Sequence, residues 1–405
     1  MNQVNAPHCP ICDNPDVQVV LALEAMPLFS NVLHDTREQA LTTERAAMQL
    51  DYCARCDFIY NATFEPDRLH YDRGYENDLS MSPHFCAYAT QLSEELVQRY
   101  NLRDKDIIEI GCGDGHFLRL ICGMGENRGR GFDPSYDSQR ASTELRGSKI
   151  EIVADVYSQQ YRHHRADMIC CRHVLEHIHD PLGFLRELRG ILETRDDGIV
   201  FFEVPNGAHT FLRGAVWDIL YEHCNYFTER SLQTLFVAAG FQPLHIDERY
   251  DGQFLTIEAK PASPAERCRH KGAAELGDAQ NSWAEFQSFF HNTINEWKTR
   301  IARWEQERRR VVTWGAGTKG VTFLNVLGLF HDTLAYVVDL HPRKQGRFIP
   351  VTGQEVIGPE ALASYGPDKI IVMNPVYMRE VCEIADKYTT GVTFVAASST
   401  HARCP

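Results

Sequence analysis

The sequence predicts an α/β chain organised around a doubly wound, mostly parallel sheet, with a small cysteine-bearing module before it and a second α/β unit after it. Three observations carry this expectation. Between about residues 80 and 260, apolar runs alternate with helical patterns. A glycine loop, Gly111-Cys112-Gly113-Asp114-Gly115, joins the first of these runs to a helix. A second strand-to-glycine signal, Val311-Val312-Thr313-Trp314-Gly315, follows a long helical stretch. At 405 residues the chain exceeds what one core usually supports. The expected division is 1–75, 76–262 and 281–405.

Composition narrows the function classes. With 43% hydrophobic and 24% charged residues the chain is ordinary globular protein. Its formal charge of -14 repels phosphate backbones, and its basic cluster, Arg308-Arg309-Arg310, is short, which argues against nucleic acid as a partner. No run approaches the roughly 20 apolar residues of a membrane helix, and Met1-Asn2-Gln3-Val4 does not open a signal segment. The expectation is a cytoplasmic protein, a monomer or small homo-oligomer, acting on a small molecule. Thirteen scattered cysteines suit a reducing compartment with a metal site better than a disulfide framework.

Taken in order, Cys9-Pro10-Ile11-Cys12 and Cys53-Ala54-Arg55-Cys56 are two C-x-x-C knuckles, able to close a tetrahedral thiolate site around structural Zn²⁺. A redox pair would open a helix after a strand, and neither pair is so placed. The runs 106–110, 166–170 and 199–204 read as strands of the main sheet. Residues 262–280 are polar and mark a boundary. Trp283, Phe286, Phe290, Ile294, Trp297, Ile301 and Trp304 then fall on one face of a long helix, as packing between domains requires.

The loop beginning at Glu109 carries the most chemistry. Its glycines allow a sharp turn and close approach of a ligand, and the helix beyond offers free N–H groups. Glu109, before the first glycine, suits a cationic ligand end where a dinucleotide loop would place phosphate. Asp133, in Gly131-Phe132-Asp133-Pro134, suits ribose hydroxyls, and Asp155 suits an adenine amino group. His173 and His177 follow the fourth strand at its carboxyl end, where open α/β sheets bind ligands. This pattern resembles class I methyltransferases over about 100–245. The resemblance implies S-adenosylmethionine as methyl donor, with Glu109, Gly111, Gly113, Asp133 and Asp155 around it.

Beyond the fifth strand, Glu222 and His223 form a titratable pair between aromatics, a setting that tunes a base near neutral pH. Gly315-x-Gly317-x-x-Gly320, with Asp339 about 19 residues on, gives the C-terminal unit a Rossmann-like signature. The whole arrangement resembles the zinc-containing sugar C-methyltransferases, which act on nucleotide-linked keto-deoxysugars in antibiotic pathways. That resemblance implies His223 as general base with Glu222 orienting it or binding substrate, His177 as a second active-site histidine and Tyr75 as an N-terminal active-site tyrosine. It also implies a C-terminal domain framing the nucleotide, with Lys319 and Arg343 as candidate phosphate contacts.

The chain departs from that family at two places. Leu220 stands where a tyrosine belongs, with Tyr221 one place nearer as the candidate catalytic tyrosine, and the glycine loop carries Cys112-Gly113-Asp114 followed by His116. Two other readings therefore stand beside carbon methylation: an O- or N-methyltransferase of a non-sugar metabolite, and a non-catalytic zinc-ribbon scaffold.

Overall fold

The computed structural model describes residues 8–137, 149–192, 198–263 and 282–398. Three sheets organise them. The N-terminal sheet begins with β1 (Gln18–Pro27), the short helix α1 (Arg37–Leu41), β2 (Arg45–Cys53) and β3 (Phe58–Asn61), all antiparallel. The β1–β2 hairpin occupies the roughly forty residues between the two cysteine knuckles. That hairpin accounts for a spacing longer than most zinc ribbons use.

Helix α2 (Pro83–Arg99), capped by Ser82, leads into β4 (Asp106–Ile110), α3 (His116–Gly125), β5 (Arg128–Phe132), β6 (Ile150–Val153) and β7 (Met168–Arg172). Helix α4 (Pro181–Ile191) and β8 (Ile199–Pro205) follow, then α5 (Gly207–Leu212), the two-residue β9 (Asn225–Tyr226), α6 (Glu229–Ala238), β10 (Phe241–Arg249) and β11 (Phe254–Pro261). The central sheet runs β10-β11-β8-β7-β4-β5-β6. Strands β4 to β8 are parallel, and β10 and β11 add an antiparallel edge. The expected doubly wound sheet is present, with fully buried β7 and near-fully buried β8 at its centre, as strands covered on both faces must be.

Strand β9 does not belong to that sheet. It pairs with β3, Ile59 opposite Tyr226 and Tyr60 opposite Asn225, so the N-terminal sheet is completed by residues from beyond β8. Residues 1–75 thus share a sheet with the segment that carries Glu222 and His223.

Helix α7 (Ser282–Gln306) packs on β1, α5 and the next helix, α8 (Thr318–Leu327). Phe286, Phe290, Ile294, Trp297, Ile301 and Trp304 are all buried, as the sequence spacing predicts; the Trp283 side chain lies outside the described residues. Six such side chains contribute about 1.5–3 kcal/mol each on burial. The polar boundary at 264–281 is likewise outside the described residues. The last sheet, β14-β13-β12-β15-β16, is wholly parallel: β12 (Val311–Trp314), β13 (Tyr336–Val338), β14 (Glu355–Ile357), β15 (Lys369–Val372) and β16 (Thr393–Ala396). Among the described residues no helix is long and apolar enough to cross a membrane.

Candidate active site

The four knuckle cysteines come together. Cys9 and Cys56 sulfurs lie 3.4 Å apart, Cys12 and Cys53 sulfurs 3.6 Å apart, and all four thiol sulfurs lie within 4.8 Å of one another without forming disulfides. A tetrahedral Zn²⁺ with sulfurs at about 2.3 Å has edges of about 3.8 Å, so the donor set and its spacing fit that ion. Each knuckle turns through an aspartate just after its second cysteine, Asp13 (φ 56°) and Asp57 (φ 58°), which folds the chain back.

At the C-terminal edge of the central sheet, Gly111, Gly113 and Gly115 all have positive φ, at 69°, 52° and 77°. A Cβ at Gly111 would meet Val174 at 2.1 Å, and one at Gly115 would meet Ile152 at 2.7 Å. At Gly113 it would meet nothing, so that loop face is open for a ligand. The Asp133 carboxylate accepts from the Gly113 amide and the Ser135 amide, both at 2.8 Å, which fixes it facing the loop. Glu109 is 3% exposed, with Oε2 lacking a partner, and burial pushes its carboxyl up to about 8. A buried acid with one free oxygen beside an open glycine loop fits a ligand with a cationic group.

Other expected cofactor residues sit at strand ends. Asp155 follows β6, half-buried, accepting from Tyr161 Oη at 2.6 Å and Gln160 Nε2 at 2.9 Å. His173 follows β7 at φ 55°, its Nε2 2.9 Å from Glu203 Oε1. Glu203 is fully buried. Burial alone would raise it, but Arg172 at 2.7 Å and His173 hold it down to about 2. His116, at the start of α3, has a buried Nε2 without a partner, and burial lowers its pKa.

A second cluster lies beyond β7 and β8. The rings of His177 and His223 meet edge to face, with centroids 4.7 Å apart. His177 Nδ1 is 2.8 Å from the Tyr71 hydroxyl and 3.1 Å from the Glu222 carbonyl. Glu176, His177 and His223 each place a donor atom within 4.8 Å of the others. Glu222 Oε1 accepts from the Ser30 amide at 2.8 Å, while Oε2 is buried without a partner. Tyr75, whose hydroxyl accepts from Asn31 Nδ2 at 3.4 Å, faces the same carboxyl. Burial sets the charges: it lowers His177 to about 4, drives His223 well below the usual imidazole range, and raises Glu222 to about 7 and Glu176 to about 8. The zinc-knuckle sheet holds this cluster in place, since Asn61 donates to the Cys224 carbonyl at 2.9 Å beside the β3–β9 pairing.

One expected catalytic residue, Tyr221, turns away from the cluster, and the two expected phosphate contacts are ion-paired within the chain. Tyr221 points into the core, its hydroxyl accepting from the Glu65 amide at 3.0 Å and lying 3.4 Å from the Thr63 carbonyl, away from the histidines. Lys319 is paired with Asp218, and Arg343 with Glu76 and Asp114, so each expected phosphate contact has carboxylate partners within the chain. Sequence reasoning missed Tyr71 and Glu176. The spacing Tyr71-x-x-x-Tyr75 and the pair Glu176-His177, which repeats the Glu222-His223 dipeptide, were the available signals.

Comparison with known proteins decides the class. The profile "Methyltransferase domain" matches residues 84–246, and "C-methyltransferase C-terminal domain" matches 257–397. C-methyltransferase NovU of Streptomyces niveus is 25% identical over 394 residues, covering 93% of this chain and 91% of that protein. The chain is an S-adenosylmethionine-dependent methyltransferase, similar over nearly its whole length to a C-methyltransferase. A ubiquinone biosynthesis O-methyltransferase of Neisseria meningitidis matches this methyltransferase more narrowly, 26% identical over 114 residues, covering 26% of this chain and 46% of that one. The structure of a Burkholderia thailandensis 1,6-didemethyltoxoflavin-N1-methyltransferase aligns with 43% of this chain and 79% of its own, at 18% identity and a TM-score of 0.34.

Proposed function

We propose that this methyltransferase alkylates the carbon alpha to a ketone in a phosphate-bearing acceptor of the nucleotide-linked sugar type, with His223 as general base. The observation that carries this reading is the half-buried His177–His223 pair, edge to face beside the buried carboxyls of Glu176 and Glu222, which burial raises to about 8 and about 7. A C–H beside a carbonyl is not nucleophilic until deprotonated, so carbon chemistry needs such a base where oxygen or nitrogen acceptors need less of one. S-adenosylmethionine, when bound, supplies an electrophilic methyl on a sulfonium. Glu109 is positioned for its cationic amino-acid end, Asp133 for its ribose, and Asp155 and His173 border the same edge.

In this reading His223 enters the reaction neutral, its lone pair free, because burial disfavours the imidazolium. It removes the alpha proton, and Glu222, whose Oε2 is buried without a partner, is the residue assigned to orient it or to bind substrate. Tyr71 fixes the His177 ring through its 2.8 Å hydrogen bond, and Tyr75 and the protonated Glu176 supply donors for the enolate oxygen. Alignment and placed charge are the protein's contribution. Structural Zn²⁺ in the Cys9, Cys12, Cys53, Cys56 site holds the sheet that seats Glu222 and His223.

The acceptor's phosphate is assigned to the loop after β12. Helix α8 starts at Gly317 with no side-chain cap, leaving first-turn amides open. Lys344, 6% exposed and outside ion-pair range of any carboxylate among the described residues, points its Nζ at that turn, 3.4 Å from the Ala316 carbonyl. A Cβ on Gly317 would stand 3.9 Å from both Lys344 Nζ and Asn31 Oδ1. Asn31 also bonds Tyr75, so this loop lies one residue removed from the catalytic cluster.

The test is incubation with methyl-¹³C S-adenosylmethionine and a panel of nucleoside-diphosphate keto-deoxyhexoses. The expected product carries the label on a carbon, and cofactor-free exchange of the alpha proton occurs in D₂O. Label on oxygen or nitrogen, with no exchange, contradicts the proposal.

A further inference from the structure

Arg343 is one residue from Lys344, yet the two side chains serve different loops. Lys344 reaches the Ala316 carbonyl of the C-terminal glycine loop. Arg343 leaves its own sheet. Its Nη2 lies 3.1 Å from Asp114 Oδ2, in the cofactor loop, and its Nε lies 2.6 Å from Glu76 Oε2. Glu76 is tied by its amide to the Asn31 carbonyl at 2.9 Å and directly follows Tyr75.

His341 reinforces the join. Its Nδ1 accepts from the Arg343 amide at 3.2 Å, which places the ring proton on Nε2, facing Glu76 at 3.6 Å and Asp78 at 3.7 Å. Burial would raise Asp78, but hydrogen bonds from His341 and Ser80 hold it below the usual carboxylate range.

We infer that Arg343 is a positioning residue for the cofactor site, a guanidinium lent by the C-terminal sheet that holds the glycine loop in its binding shape. Asp114 sits between Gly113 and Gly115, both in the left-handed region, and nothing packs against the Gly113 position. Backbone bonds set the turn, but the Asp114 side chain is the handle by which another part of the chain grips it. A planar guanidinium holds two carboxylates in a fixed fork geometry, which a lysine's compact, freely rotating ammonium does not impose. The consequence is that affinity for the methyl donor depends on a residue about 230 positions away, outside the cofactor-binding sheet.

The experiment is calorimetric titration of the full chain with S-adenosylhomocysteine, with melting temperature measured alongside. Arg343→Met is expected to weaken binding about 10-fold, with Arg343→Lys recovering part of the loss. Asp114→Asn should give a similar loss, and the double variant should lose no more than either single one, because both remove the same contact. Binding by Arg343→Met within about twofold of the parent, or fully additive losses, overturns the inference. If Arg343→Met melts more than about 5 °C lower, Asp114→Asn decides, because it leaves the Arg343–Glu76 pair intact: unchanged affinity there overturns the inference. Loss of UDP binding with S-adenosylhomocysteine binding retained would instead return Arg343 to a phosphate role, and also overturns it.

Discussion

In the loop after β4, the Gly111 amide bonds the Phe132 carbonyl and the Gly113 amide bonds Asp133. In the loop after β12, the Gly315 amide bonds the Val338 carbonyl and the Ala316 amide bonds Asp339, all four at 2.8 Å. Each aspartate also accepts from the amide two residues on, Ser135 or His341, again at 2.8 Å. The backbones are built alike and the charges differ. The first loop has a buried acid with one free oxygen, Glu109, and the second a buried lysine, Lys344, with no carboxylate in ion-pair range among the described residues. Under the proposed assignment, one strand-loop-helix device is set for a cationic or an anionic ligand by a single buried side chain, with the Glu222–His223 cluster between the two ligands.

If the two loops serve one reaction centre, His223→Ala should lower turnover by about 10²–10⁴-fold while both loops still bind their ligands, measured by initial rates and calorimetry. Equal turnover breaks the scheme. The charge assignment of the first loop makes a pH prediction. Glu109 sits at about 8 in the free site, and a cationic ligand favours its deprotonated form, so S-adenosylhomocysteine binding should tighten as pH rises and level off above 8. Below that point the expected slope is about tenfold per pH unit, with proton release visible in buffers of different ionisation enthalpy.

The same logic at the reaction centre concerns Glu222. Raised to about 7, it becomes a carboxylate only above that pH, so kcat/KM should climb through about 7 and lose that limb in Glu222→Gln. The smallest effect is expected for Tyr71→Phe, which removes one hydrogen bond to His177. A loss of about fivefold in kcat, with ligand affinities unchanged, would mark it as orienting the ring.

What the sequence made legible was local. The strand from Asp106, the loop from Glu109 to Gly115 and Asp133 after it lie within 28 residues, and the C-x-x-C knuckles announce themselves by spacing. The glycine-helix register of the C-terminal unit was legible for the same reason. Residues assembled by long-range packing were not. Tyr71 meets His177 across 106 positions, and Ser30 meets Glu222 across 192. Arg343 and Lys344 are adjacent cations that no pattern separates; only burial and the carboxylates at Glu76 and Asp114 show which one is spoken for. Tyr221 misled because its place beside Glu222 fixes its backbone and not its hydroxyl, which packing turns toward Thr63 and Glu65.

The claim that the two loops share a backbone and differ in charge is tested most directly by a crossed titration. S-adenosylhomocysteine and UDP are each titrated into the parent chain, Glu109→Gln and Lys344→Met. The expected result is that Glu109→Gln weakens S-adenosylhomocysteine alone and Lys344→Met weakens UDP alone, each by about 10–100-fold. A variant that loses both ligands, or a Lys344→Met that binds UDP as the parent does, would contradict it.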